Sequence, residues 1–169
     1  DLTYSRREFT ENVRHMIAEF EALEVSDAVK PKVGIVGEIL VKYLPEANNH
    51  VQKQIEAEGA EVVVPDLTDF MLYSFKNARI KRARYGTSAM SAFLTDLAVG
   101  YVDSYRNIVR ELLRPTRYEE PVDVDTLMAY AEEFVDLGNQ YGEGWLLTAE
   151  MVELIRSGAG NIVCVQPFG

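Results

Sequence analysis

The 169-residue sequence contains a single cysteine, Cys164, and only two histidines, His15 and His50. One cysteine excludes an internal disulfide bond and any multi-cysteine metal site within this chain. The two histidines lie far apart in sequence, and neither belongs to an H-E-x-x-H motif. Neither a Ser/His/Asp nor a Cys/His set can be assembled, so no catalytic residues can be assigned. The low cysteine content favours a reducing, cytoplasmic setting.

The sequence also lacks long apolar runs, a net positive charge and the standard phosphate-binding loops. No run approaches the roughly 18 apolar residues of a membrane helix, and no signal-peptide pattern opens the sequence. The 17 Lys and Arg residues against 27 Asp and Glu give a net charge of −10, which argues against nucleic-acid binding. Gly34-x-x-Gly37 is not a G-x-G-x-x-G fingerprint, and no G-x-x-x-x-G-K-[ST] motif occurs. We therefore expect no membrane or nucleic-acid partner and no standard nucleotide-binding loop.

The stretch from Pro31 to Asp69 predicts a βαβ unit. Two short runs rich in β-branched residues, 32–37 and 61–64, flank an amphipathic segment, 46–58, that ends at Gly59. Gly59 stands where a helix C′ residue is expected. Ligands of open parallel sheets bind beyond the carboxyl ends of the strands. This points to Gly37, Glu38, the loop 43–50 and Pro65-Asp66.

The rest of the chain predicts helices and one more strand. A capping box at Ser5 starts a helix over 6–23, and Asn161-Ile-Val-Cys-Val165 predicts a third buried strand. Residues 66–158 are expected to form a large helical insertion between the second and third strands. The predicted fold is α/β and Rossmann-like, a small parallel sheet of about three strands flanked by helices. We expect one domain over 1–169 that is a fragment of a longer protein, because the chain begins with Asp1 and stops in a loop.

The predicted insertion has two conspicuous surfaces. Its longest helix starts at Gly86-Thr87-Ser88, ends before Pro115 and carries an apolar stripe wide enough to be covered on more than one side. A basic cluster precedes it and is either a patch for phosphate or an acidic partner, or favourable charge near a helix C-terminus. The cluster consists of Lys76, Arg79, Lys81, Arg82 and Arg84.

Several polar residues admit a ligand-binding and a structural interpretation. Glu38 either orients a ligand, caps a nearby helix or pairs with Lys42, and Asn48 or Asn49 is expected to be a helix N-cap. Glu150 is either a base or an exposed helix carboxylate. The glycines around Glu143 either let backbone approach a ligand or form a turn. The candidate ligand-binding residues are Gly37, Glu38, Tyr43, Asn48, Gly142, Glu143, Gly144 and Gln166.

Four sequence segments, in order along the chain, resemble one family. They are Lys32-Val-Gly-Ile-Val-Gly-Glu38 with Tyr43, Pro45 and Asn48 following, Gly59-Ala-Glu-Val-Val-Val-Pro65, Gly142-Glu-Gly-Trp-Leu-Leu-Thr-Ala-Glu150, and Asn161-Ile-Val-Cys-Val-Gln-Pro-Phe-Gly169. Together they are similar to the large activase-related proteins of the 2-hydroxyacyl-CoA dehydratase system, in the region that resembles the dehydratase subunits. The resemblance covers most of the chain from Pro31 onward.

The resemblance implies an ATP-driven iron–sulfur system. A homodimeric activator delivers one electron to a dehydratase, which holds its own cluster on cysteines and removes water from a 2-hydroxyacyl-CoA. In the family, a cysteine directly follows Gln-Pro-Phe-Gly, where this chain ends. The implied partners are other domains of the same longer chain, dehydratase or activator subunits, and an acyl-CoA. The activator's ATPase motifs are absent here.

Three functions are therefore open. The chain frames a cluster and acyl-CoA site that lies in the parent protein, with no cofactor or metal held by the fragment, and Cys164 in a buried strand is a small core residue. Alternatively, it is a non-catalytic module that docks a partner subunit through its long helices or basic patch, which a large exposed apolar face would favour. The third, a stand-alone enzyme, would need a deep pocket lined by Glu38, Asn48 and Glu143.

Overall fold

A computed structural model describes residues 5–86 and 89–167. It places the elements in the order α1 (Arg6–Glu21), β1 (Lys32–Gly37), α2 (Ile39–Tyr43), α3 (Val51–Ala57), β2 (Glu61–Val63), α4 (Leu67–Tyr85), α5 (Ala89–Leu113), α6 (Val124–Glu132), α7 (Gly144–Arg156) and β3 (Asn161–Val165). The bounds of β1 and β3 agree with those predicted from the sequence.

The three strands form one parallel sheet with β1 in the centre. Strand order is β2-β1-β3, with Lys32 opposite Glu61 on one side and Val33 opposite Asn161 on the other. Residues 34–37 of β1 are buried, whereas β2 and β3 contain exposed positions. The α/β fold with a helical segment between β2 and β3 is confirmed, and β3 is an edge strand rather than a fully buried one.

Several helix ends form where the sequence predicts them. Ser5 and Glu8 make a reciprocal capping box at the start of α1. Asp66 caps α4 by accepting a hydrogen bond from the Thr68 N–H at 2.9 Å. Gly59 follows α3 with a φ of +90°, a conformation that glycine adopts without strain. The predicted start of the long helix at Thr87 and Ser88 lies outside the described residues.

The segment between β1 and α3 differs from the prediction. A short helix, α2, begins two residues after β1, and α3 begins at Val51 rather than near Glu46. Asn49 and His50 take left-handed backbone conformations, with φ of 56° and 54°, so the helix cannot extend back through them. The N-cap residue of α3 is His50, whose side chain makes no cap hydrogen bond, so the prediction of Asn48 or Asn49 as the N-cap is wrong. Asn48 nevertheless contacts the start of the helix, because its Oδ1 accepts from the Val51 N–H at 3.2 Å.

Most of the core lies among helices rather than against the sheet. The larger cluster of buried side chains is centred on Trp145, which packs edge-on against Tyr73 with ring centroids 5.0 Å apart. A smaller cluster beside the sheet contains Val36, Leu154 and Ala159. Helix α7 contributes to both clusters, and it therefore fixes the sheet to the helical segment.

Helix α1 lies on the outside of this arrangement. It packs along α5, with the rings of Phe9 and Tyr105 at 4.9 Å and nearly perpendicular, yet none of its residues is buried. Across residues 5–86 and 89–167, no helix combines the length and apolar character that crossing a membrane requires.

Candidate functional site

The carboxyl ends of β1 and β3 meet at one edge of the sheet. Gly37 lies opposite Val165, and the Glu38 N–H donates to the Val165 carbonyl at 3.0 Å. Gly37 has a φ of +139°, and a Cβ there would collide with the Val165 backbone. Gln166 follows β3 directly and is exposed. The fold therefore brings Gly37, Glu38 and Gln166 to the same edge, as predicted.

Two carboxylates hold the start of α2 against this edge. Glu38 Oε2 accepts from the Val41 N–H at 2.9 Å, so the helix-capping interpretation is confirmed. Glu143 is buried, and its Oε1 accepts from the Ile39 N–H at 3.0 Å. Both side chains satisfy backbone N–H groups that the first turn of a helix leaves unpaired. The turn around Glu143 is thereby fixed to the end of β1.

Behind α2 lies a buried ion pair. The Lys42 ammonium donates to Glu150 Oε1 at 2.7 Å, and the side chains are 4% and 1% exposed. Burial raises the pKa of Glu150 to about 7, and the charge of Lys42 opposes that shift. The prediction of an exposed carboxylate at Glu150 is therefore wrong, as is the pairing of Lys42 with Glu38.

The ion pair adjoins a partly open cavity of about 390 Å³. Lys42, Tyr43, Asn48 and His50 contribute to its lining. The Tyr43 hydroxyl donates to the Pro65 carbonyl at 2.5 Å, and burial, reinforced by the charge of Glu150, raises the pKa of Tyr43. Of the three residues that a stand-alone enzyme pocket would need, only Asn48 lines this cavity.

The predicted glycine-rich loop is a packed turn. The Tyr73 hydroxyl donates to the Gly142 carbonyl at 3.1 Å. Gly144 has a φ of +48°, and a Cβ there would strike the Asn139 carbonyl oxygen and the Tyr73 hydroxyl. A glycine is needed at 144 for this close approach of protein to protein. These contacts favour the turn interpretation over a backbone approach to a ligand.

Cys164 is exposed, so its prediction as a core residue is wrong. Cys164 lies in β3, which has β1 as its neighbour on one side. Because β3 is an edge strand, its side chains are less covered than those of a central strand. Partial burial, followed by the negative charges of Glu143 and Glu150, raises the pKa of the thiol. The thiolate, which is the form that ligates metals, is therefore disfavoured.

A second polar cluster lies where α4, α5 and α7 approach each other. Arg106 Nη1 and Asp69 Oδ1 are 2.7 Å apart, and both side chains are buried. Burial raises the pKa of Asp69 to about 6 against the opposing effect of Arg106, and burial raises the pKa of Glu153 to about 7. The cavity beside them measures about 320 Å³ and is lined by the carboxylates Asp66, Asp69, Glu119, Glu120 and Glu153.

These buried charges were not predicted from the sequence, although the spacing of Glu150 and Arg106 relative to apolar residues of the same helices could have indicated them. Glu150 falls on the apolar face of α7, four residues after Leu146 and four before Leu154, and both leucines are buried. Arg106 follows the buried Val99 by seven residues on the same face of α5. A charge within an apolar helical stripe was the available signal.

The basic cluster of α4 is partly neutralised within the chain. The Lys76 ammonium is nearly buried and donates to Asp125 at 2.6 Å. Arg84 pairs with Asp136 at 2.7 Å, and Arg82 and Arg84 lie in the last turn of the helix. These contacts favour the interpretation of helix-end charge over a phosphate-binding patch.

Comparison with known proteins found no matching family model, no matching curated protein and no matching solved structure. Among residues 5–86 and 89–167, no three or more His, Cys, Asp or Glu side chains are grouped so as to hold a metal ion. The candidate site thus consists of a sheet edge held by carboxylates, a buried ion pair and two cavities.

Stability should fall as the pH rises from about 5 to about 7. The pKa values of Glu150 and Glu153 are raised to about 7 and that of Asp69 to about 6. In this window the folded state binds more protons than the unfolded state, so each pH increase lowers the free energy of unfolding. Urea unfolding at a series of pH values measures the slope. Glu153→Gln should reduce the slope of the free energy of unfolding against pH. The control Glu58→Gln, at an exposed position, should leave the slope unchanged. An unchanged slope in Glu153→Gln would contradict the raised pKa of Glu153.

Proposed function

We propose that this chain is a framing domain of an iron–sulfur, ATP-driven 2-hydroxyacyl-CoA dehydratase system and that it is catalytically inert when isolated. The observation that carries the proposal is the construction of the sheet edge. Glu38 and Glu143 each accept a hydrogen bond from a backbone N–H of α2 through one carboxylate oxygen. Lys42 is paired with Glu150. Polar side chains committed to such internal contacts suit a rigid frame better than a reacting centre.

An iron–sulfur cluster does not fit the donor set of this chain alone. Such clusters are held by several cysteine thiolates, and the sequence supplies Cys164 only. Its thiol pKa is raised, which opposes ligation further. In the proposal, the ligands come from elsewhere in the parent protein, together with the acyl-CoA site, and this domain positions the chain that leaves β3.

The proposed partners are therefore macromolecular. They are other domains of the same longer chain or separate dehydratase and activator subunits in the cytoplasm. The cavity beside Lys42 lies at the carboxyl ends of the strands, where substrates of such sheets bind. An acyl-CoA that reaches this domain would approach it at that edge.

Anaerobic iron–sulfur reconstitution tests the framing role. This chain alone and the chain lengthened past Gly169 by its natural sequence would be compared for iron and sulfide content and for visible absorption. We expect only the lengthened form to take up a cluster, because the thiolates must come from outside the present sequence. A Cys164→Ser variant of the lengthened form is the control and should retain its cluster.

Either of two results would contradict the framing role. Stoichiometric cluster uptake by the chain alone would show that it is not merely a frame. No uptake by either form would remove the link to an iron–sulfur protein, and the resemblance would then extend to the fold only.

A second candidate function is docking, which one observation favours. The N-terminal half of α5 presents five large apolar side chains to solvent, each between 56% and 66% exposed. Single exposed apolar residues are ordinary, but a continuous patch marks an interaction surface. The five are Met90, Phe93, Leu94, Leu97 and Tyr101. We refer to them as the α5 stripe.

A further inference from the structure

The α5 stripe lies on the face of α5 that points away from the core. Its members follow at intervals of i, i+3, i+4, i+7 and i+11, which places them on one side of a helix. The buried residues of the same helix, Ala92, Val99 and Arg106, lie on the opposite side. Helix α5 therefore has a buried face that packs on α4 and, in its N-terminal half, an opposite face that is exposed.

The same side of α5 is covered farther along by a helix of this chain. Phe9 of α1 packs on Tyr105, and Val13 and Ile17 of α1 are half-buried. Tyr105 and Ile108 continue the line of Leu94, Leu97 and Tyr101 along α5. Helix-on-helix packing is thus the way in which this face is already covered, and the α5 stripe extends that interface beyond the start of α1.

The charge pattern decides what kind of partner fits. Between Ala89 and Tyr105 the charged residues are Asp96 and Asp103, and no basic residue occurs. At roughly 100° per residue, both aspartates lie more than about 100° around the helix from the centre of the stripe. A charged partner would therefore find no charge on this face of α5 to pair with, whereas an identical uncharged stripe would meet it without opposing like charges.

The area also suits a second copy. Five large side chains at this exposure offer about 600 Å² per chain, so two copies would bury about 1,200 Å², the lower end of specific interfaces. Two-fold pairing uses the same patch twice and needs no second surface. Such an interface is expected to be reversible and of micromolar affinity.

We propose that the α5 stripe binds the α5 stripe of a second copy of this chain, with the two helices packed across a two-fold axis near Leu94 and Leu97. The proposal rests on the docking role given above as the second candidate function, and it names the partner. It is independent of the framing role, whose test is cluster uptake.

Sedimentation equilibrium of the chain from about 1 to about 200 µM measures the self-association. We expect a monomer–dimer equilibrium that Leu94→Glu combined with Leu97→Glu shifts at least about 100-fold towards monomer, because four carboxylates would meet across the axis. Both side chains are exposed in the single chain, so circular dichroism and thermal midpoint should be nearly unchanged. The matched control is Ile155→Glu on α7, which is 58% exposed and should dimerise normally.

Cross-linking tests the geometry of the pairing. In a Cys164→Ser background, Leu94→Cys or Leu97→Cys should form a disulfide-linked dimer under mild oxidation, because a residue near the axis meets its own copy. Ile155→Cys should not. A chain that stays monomeric at the highest concentration, or a dimer that the double Glu variant leaves intact, would overturn the proposal.

Two further outcomes would also overturn it while leaving docking itself in place. One is a monomer that binds a separately prepared dehydratase or activator subunit in a manner abolished by the double Glu variant. The other is a monomer that binds lipid vesicles through the same residues. In either case the stripe is a docking surface and its partner is not a second copy.

Discussion

Lys42→Met should destabilise the protein by about 3–5 kcal/mol, because it leaves the Glu150 carboxylate buried without its partner. Glu150 is 1% exposed, so water cannot replace the lost ammonium. The cost should be larger at pH 8 than at pH 6, since protonation neutralises the stranded carboxyl at the lower pH. Urea unfolding followed by circular dichroism at both pH values measures the effect.

The double variant Lys42→Met with Glu150→Leu is the control. It removes both charges and fills the site with apolar side chains, so it should recover most of the stability lost by Lys42→Met alone. A loss below about 1 kcal/mol in the single variant would mean that water or another group reaches Glu150. A double variant as unstable as the sum of the two single variants would mean that the pair does not interact.

Gly37→Ala should cost about 4 kcal/mol or more and should loosen β3 from the sheet. The methyl group would enter the Val165 backbone, and the φ of +139° is unfavourable for alanine. Relief requires β3 to move away from β1, which breaks the hydrogen bond from the Glu38 N–H to the Val165 carbonyl. Amide hydrogen exchange in β3, together with urea unfolding, measures the loss.

Gly34→Ala provides a matched comparison in the same strand. Its added Cβ would lie 2.6 Å from the Cδ1 of Leu154, which is the end of a flexible side chain. We therefore expect a smaller cost, about 1–3 kcal/mol, with β3 exchange unchanged relative to the rest of the sheet. Equal effects at the two glycines would show that the Gly37–Val165 contact is not a special constraint.

The two glycines illustrate what could be predicted about the candidate site. The sequence places Gly37 and Glu38 at the carboxyl edge of the sheet because a strand that ends in glycine and is followed by a helix has that position in a βαβ unit. It does not show that Val165 lies against Gly37, because that contact joins residues far apart in the chain. The fold class and the position of these residues at the sheet edge were therefore predictable, and the contacts were not.

The misjudged residues share one cause. Glu150 was expected on the surface and is buried, while Cys164 was expected in the core and is exposed. Residue type favours exposed glutamate and buried cysteine. In this fold α7 faces the sheet with Glu150 opposite Lys42, and β3 takes an edge position. The neighbours of a side chain overrode its intrinsic preference in both cases.

The sequence by itself determined the elements and their order. Capping at Ser5 and Asp66, the glycine after α3 and the apolar periodicity of α5 act over a few residues, so they are readable without the fold. Tertiary structure alone decided that Glu150 pairs with Lys42, that Arg106 pairs with Asp69, and that α1 covers only part of one face of α5. Burial depends on what packs opposite a residue, and local sequence does not contain that information.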